Sequence, residues 1–240
     1  MEEPGGNSGE EVLRGQFRET GKRMRKKTAA VLNLLIAGIV FYSWIRMMSG
    51  IDAGGLFSES RIRTLKYFTV DSNLLAGAAA LCAALFEFRS GKEIPVWVSA
   101  LKLAATASVM LTFLTVIGFL GPIFGYASMF TGANLYMHLI TPLLAAAVFC
   151  LQEGTPALSL RHCFFAVIPM LIYGEVYLLN ILINGTGSGM NTNDWYGFTR
   201  WGLAAAPLVY LVMASVTWGI AWLLWRCSIY CLTRSTVGGR

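Results

Sequence analysis

Two side chains in this sequence could carry out chemistry together: Thr69, in KYFTVDSNLLAG, and His138, in ANLYMHLITPLL. A threonine hydroxyl is inert until a base removes its proton, and histidine is the usual base near neutral pH. Seven other polar residues stand near them by type and by place along the chain: Asp71, Ser72, Asn73, Glu175, Tyr177, Asn180 and Asn184. An amide or hydroxyl among these could orient the imidazole or donate to a developing oxyanion. A catalytic metal would instead need His138 with Asp71 and Glu175 as ligands. No ligand spacing supports that, so neither metal nor cofactor is expected. The glycines of GTGSGMNTNDWYGFTR form no phosphate cradle, because no Lys-Ser/Thr follows them.

The elements that must position these residues are apolar. Of 240 residues, 55% are hydrophobic and 13% charged, against about 25% charged in soluble domains. Six stretches reach the ~20 residues a bilayer requires: 28–48, 66–88, 96–120, 134–151, 161–184 and 201–226. The fold class expected is all-α, a six-helix transmembrane bundle over 28–226. A disordered basic tail over 1–27 precedes it and a short tail over 227–240 follows. The loops leave no room for a separate soluble domain.

The formal charge of +6 follows from the positive-inside rule and does not imply nucleic acid. With both termini cytoplasmic, fourteen of the nineteen Lys and Arg residues fall on the inner side and five on the outer. A multi-pass protein of the cytoplasmic (inner) membrane is expected. Lys102, just inside the third span, is within snorkelling reach of the inner interface. The uncharged segment GPIFGYASMFTGA suits a loop dipping into the outer interface, as a lid or lipid-side entrance.

Alternating span direction turns sequence position into depth. At 1.5 Å per residue, Thr69 lies ~4 Å and His138 ~5 Å below the outer boundary. Asn184 sits at the outer end of span five, with Asn180 ~6 Å and Glu175 ~14 Å deeper. Three spans thus bring polar groups to overlapping depth, where such groups are costly and mark function. Helical phase divides the set. Thr69, Ser72 and Asn73 share a face, as do Tyr173, Tyr177, Asn180 and Asn184, and as do Asn134, His138 and Thr141. Asp71 and Glu175 point off these stripes. Pro142 frees the His138 carbonyl, four residues back. The second histidine, His162, lies at the cytoplasmic end of span five.

Six spans, the Tyr67-Phe68-Thr69-x-x-Ser72-Asn73 pattern and the His138-x-x-x-Pro142 pattern resemble the androgen-induced-gene-one-like family over 28–226. A group of bacterial six-span proteins shares the pattern, and TVDSNLL, with Asp71, reads closer to that group. The resemblance implies an intramembrane hydrolase of fatty acyl esters, with the nucleophile at Thr69 and the histidine at His138.

The leading expectation is a hydrolase of a lipid-like ester, with a lipid-like small molecule as partner. One rival is a small transporter or ion- or lipid-binding protein using Asp71, His138 and Glu175 as a relay. Another is a non-catalytic assembly protein in which the polar layer only holds the bundle together.

Overall fold

The computed structural model describes residues 8–51, 61–89, 94–151, 158–188 and 192–237. All regular secondary structure among them is helical. Six helices are long and apolar enough to cross a membrane, so the chain is a multi-pass membrane protein. They are α1 (Ser8–Met48), α2 (Phe68–Phe88), α3 (Val96–Phe124), α4 (Ala133–Leu151), α5 (Leu160–Asn184) and α6 (Ala206–Val237).

Two boundaries correct the sequence reading. The segment expected to be a disordered tail is helical from Ser8, continuous with the first span. Once a span has nucleated a helix, each added residue costs little, and this segment is rich in helix formers. The last helix likewise runs past Arg226 to Val237, since neither Gly nor Pro occurs between Arg226 and Gly238. Residues 1–7, and 52–60 of the first outer loop, lie outside the described residues.

Prolines shape three spans. Pro122 and Pro142 each follow a π-helical turn, Val116–Leu120 in α3 and Tyr136–Ile140 in α4. A proline has no N–H to donate and crowds the carbonyl four residues back. In both helices the residue before the proline reaches back five positions, Gly121 N–H to the Val116 carbonyl and Thr141 N–H to that of Tyr136. The widened turn lets the helix continue. In α5, Pro169 instead coincides with a break at Ala166–Val167.

The centre of the bundle is built from small side chains. Ile36 and Val40 of α1 meet Ala76, Ala79 and Ala80 of α2, Ala105 and Val109 of α3, and Ala145 and Val148 of α4. A Cβ added to Gly77 would stand 2.9 Å from Val40, which is the close backbone approach small residues allow between membrane helices. A second cluster joins α3 and α4 to α5 and α6 through Leu103, Leu111, Phe149, Met170, Ile220 and Leu224. Helices α5 and α6 are peripheral, their apolar windows only 28% and 17% buried.

Lys102 does not snorkel. It is 3% exposed and donates to the Asn33 side-chain oxygen at 2.5 Å, while the Asn33 amide donates to Glu87 at 3.0 Å. The chain thus carries a buried Lys–Asn–Glu cluster linking α3, α1 and α2. The Asn33 oxygen, oriented by its amide's bond to Glu87, supplies an interior partner that a lysine reaching for the interface would forgo.

Candidate active site

Thr69 is in the first turn of α2, whose N-cap is Tyr67. His138 sits within the π turn of α4. Both line one small cavity at the end of the bundle where α2 begins. Its walls also include Met47 of α1, Tyr67, Leu120 of α3, Met129, Asn134 and Tyr196. The cavity measures about 20 Å³, room for a single water-sized group. No hydrogen bond joins Thr69 directly to His138 among the described residues; the two face each other's space across the cavity.

The tautomer of His138 is set by the loop before α4. Its Nδ1 lies 2.7 Å from the Met129 carbonyl, an acceptor only, so Nδ1 carries the proton. In the neutral ring the lone pair is then on Nε2, the atom a general base uses. Met129 ends a helical turn, Tyr126–Met129. That turn is bounded by Gly125 at φ 88° and Gly132 at φ 60°, backbone conformations that side-chain-bearing residues rarely adopt. The uncharged loop expected to act as a lid or entrance therefore holds the imidazole.

The amide and hydroxyl groups expected to support the pair act elsewhere. Both N–H bonds of the Asn73 side chain are used, one to the Thr69 carbonyl at 2.7 Å and one to the Met137 carbonyl at 3.0 Å. The second follows from the π turn. Thr141 N–H is committed to Tyr136 and residue 142 is proline, so the Met137 carbonyl has no donor on its own helix. Ser72 bonds the Thr69 carbonyl at 3.2 Å and Thr112 of α3 at 3.1 Å. Asn180 and Asn184 bond each other at the exposed end of α5.

The carboxylates stand apart from the cavity. Asp71 is half-buried, and its carboxylate makes no hydrogen bond or ion pair among the described residues. Glu175 is exposed on α5, near Tyr210 of α6, whose hydroxyl donates to the Leu171 carbonyl at 2.8 Å. Among the described residues no group of three His, Cys, Asp or Glu side chains could hold a metal ion. Comparison with family models, with curated proteins and with solved structures finds no match. The site therefore stands on its own geometry.

The structure adds a part that sequence reasoning missed, the loop between α5 and α6. Asp194 is its hub. One carboxylate oxygen accepts from the Tyr177 hydroxyl at 2.5 Å and from Phe198 N–H at 2.6 Å; the other accepts from Thr199 N–H at 2.9 Å and its hydroxyl at 2.5 Å. Burial alone would raise this carboxyl, but the bonds from Thr199, Tyr177 and Phe198 outweigh it and hold it below the usual carboxylate range. Tyr196 N–H in turn donates to Tyr177 at 3.2 Å. Tyr177, read from the sequence as a supporting residue of the site, is thus the anchor of this loop.

Aromatic packing completes the cap. Trp195 stands edge-on to Tyr177 with centroids 4.8 Å apart, and its indole N–H donates to Tyr173 at 3.2 Å. Tyr173 donates onward to the Lys66 carbonyl at 2.6 Å. Held in this way, Tyr196 lines the cavity together with Thr69, its hydroxyl near the Thr69 hydroxyl and the backbone N–H groups of Phe68 and Thr69. Burial pushes Tyr196 up to about 12, against the pull of those groups, so it is a neutral phenol at physiological pH. The signal available in the sequence was Asp194-Trp195-Tyr196-Gly197, an acid and two aromatics in an otherwise small and polar loop.

Proposed function

We propose that this protein is an integral membrane hydrolase of a lipid-like ester, with Thr69 as nucleophile and His138 as general base. The observation that carries the reading is the shared cavity: a hydroxyl and an imidazole from different helices line it, and the imidazole's other nitrogen is tied to a carbonyl. That arrangement leaves the basic nitrogen for the cavity that Thr69 also lines, as a base that is to activate a nucleophile requires. The resemblance of Thr69-x-x-Ser72-Asn73 and His138-x-x-x-Pro142 to the androgen-induced-gene-one-like family supports the same two roles. A relay through Asp71 and Glu175 is disfavoured, because neither carboxylate lines the cavity.

An ester fits better than a soluble polar substrate, because the cavity walls are mostly Met, Leu, Val and Tyr. On this reading the site faces the outer leaflet of the cytoplasmic membrane and both termini are cytoplasmic, as the basic residues favour. Purified protein in detergent, treated with an alkyl fluorophosphonate and with 4-nitrophenyl acyl esters, provides the test. Labelling located at Thr69 and ester turnover are expected in the wild type and lost in Thr69→Ala; His138→Ala should slow both by at least 100-fold, the weight of a general base. Equal labelling and turnover in all three proteins would end the proposal.

A further inference from the structure

A threonine esterase needs more than a nucleophile and a base. When the Thr69 oxygen bonds to the ester carbon, the carbonyl π electrons move onto oxygen, and that oxyanion needs fixed donors. The first residues of a helix have N–H groups with no acceptor one turn back. In α2 these include Phe68 and Thr69, directly after the N-cap Tyr67. The Tyr196 hydroxyl lies near them, and Tyr196 shares the cavity wall with Thr69 and His138.

A second observation points to a ligand at the same place. His138 is 4% exposed, lines the cavity and has Nδ1 engaged with Met129. No hydrogen bond of its Nε2 is found among the described residues, and His138 and Thr69 line the same space. The helix terminus, the hydroxyl and the imidazole thus converge on one spot.

We propose that the backbone N–H groups of Phe68 and Thr69 are the oxyanion-binding pair, and that Tyr196 is a plug whose hydroxyl holds their place until a substrate carbonyl displaces it. The inference rests on the hydrolase reading and completes it. The Thr69 proton passes to His138 Nε2 as the Thr–acyl bond forms. The tetrahedral intermediate collapses, the ester C–O bond breaks, and the leaving alkoxide takes the proton from Nε2 as an alcohol. Water then repeats the sequence, giving its proton to Nε2 and releasing the acid while Thr69 is re-protonated. The closed cavity is too small for an acyl chain, so the Asp194–Thr199 segment must swing out with Tyr196 for substrate to enter.

A backbone N–H can be deleted here with little disturbance. Phe68 occupies the first helical position, where proline is well tolerated, and Tyr67 before it has φ −98°, ψ 127°, the conformation a following proline demands. Phe68→Pro therefore removes one donor, and Phe68→Ala, which loses the same ring but keeps the N–H, is its control. The full-length protein in detergent is assayed with 4-nitrophenyl esters and a fluorophosphonate, with mass spectrometry locating the label. Relative to Phe68→Ala, Phe68→Pro should lower kcat by about 100-fold or more, as removal of an oxyanion donor does elsewhere, with KM little changed. Equal kcat in the two variants overturns the proposal. Should Phe68→Pro not fold, Tyr196→Phe decides: it should speed Thr69 labelling between about twofold and tenfold, the weight of one net hydrogen bond, and unchanged or slower labelling overturns the plug. Absence of any label at Thr69 in wild type and in Phe68→Ala would mean that the hydrolase reading has failed, and this inference with it.

Discussion

The side-chain amide of Asn73 on α2 donates to the backbone carbonyl of Met137 on α4, 3.0 Å away, and so fastens the helix of Thr69 to the residue just before His138. The bond exists because a π turn and Pro142 leave that carbonyl without a donor of its own. Asn73→Ala leaves it buried and unpaired, a loss of about 1–3 kcal/mol, and loosens the register between Thr69 and His138. Thermal unfolding in detergent should show a lower Tm, and Asn73→Asp should be worse still, since it sets a carboxylate against two carbonyls. An Asn73→Ala protein as stable and as readily labelled by fluorophosphonate as the wild type would show that the tie is dispensable.

The spans, and the placing of Thr69 and His138 at one end of the bundle where they line one cavity, were legible in the sequence because hydropathy gives the spans and alternating direction turns position into depth. What the sequence hid depends on departures from a regular helix. The phase argument put Asn134, His138 and Thr141 on one face. The π turn between them inserts extra chain, so Asn134 and His138 line the cavity while the Thr141 hydroxyl is buried without a partner. The amides were expected to serve the site. Asn73 instead spends its donors on carbonyls that only the folded geometry exposes, and Asn180 and Asn184 remain at the exposed helix end. Tyr196 was illegible for another reason: its place over Thr69 is set by the Asp194 hub, a tertiary arrangement within a loop.

The Lys102–Asn33–Glu87 cluster should behave as one unit of stability. Replacing Lys102 with Met removes the cation of the buried cluster, and breaking such a cluster from one side costs about 3–5 kcal/mol. Lys102→Met combined with Glu87→Gln should recover much of that loss, because the cluster's opposite charges are then removed together. Tm values of the two single variants and the double variant form the cycle. Strictly additive losses would mean that the residues are not coupled.

Gly121 connects a distant backbone constraint to the imidazole. A Cβ there would come within 2.2 Å of the Tyr126 ring and 2.8 Å of the Val116 carbonyl. Tyr126 begins the turn that ends at Met129 and is itself bonded to the Ile117 carbonyl at 2.8 Å. Gly121→Ala must therefore move that turn, at about 1–3 kcal/mol of overpacking strain, and with it the carbonyl that fixes His138. Loss of Thr69 labelling exceeding the loss of folded protein is the expected result. Unchanged labelling would show that the Met129 carbonyl does not govern the base.

The Asp194 hub makes a prediction about pH whose sign follows from its hydrogen bonds. The folded loop holds this carboxyl below its ordinary range, so it contributes stability that is fully present above the unfolded value near 3.9. That stability is lost only as pH falls through the lower folded value. The cap over Thr69 should accordingly stay closed from neutral pH down to about pH 5, above both values, and open only in stronger acid. Asp194→Asn should open it at neutral pH, because an amide nitrogen cannot accept from Phe198 or Thr199. Hydrogen exchange over 194–199 and the emission of Trp195 report the opening. If the cap sits on the site as its contacts with Thr69 imply, the same variant should be labelled faster by a short-chain fluorophosphonate than the wild type at pH 7. A loop that exchanges faster with no change in labelling would separate the latch from access to the nucleophile.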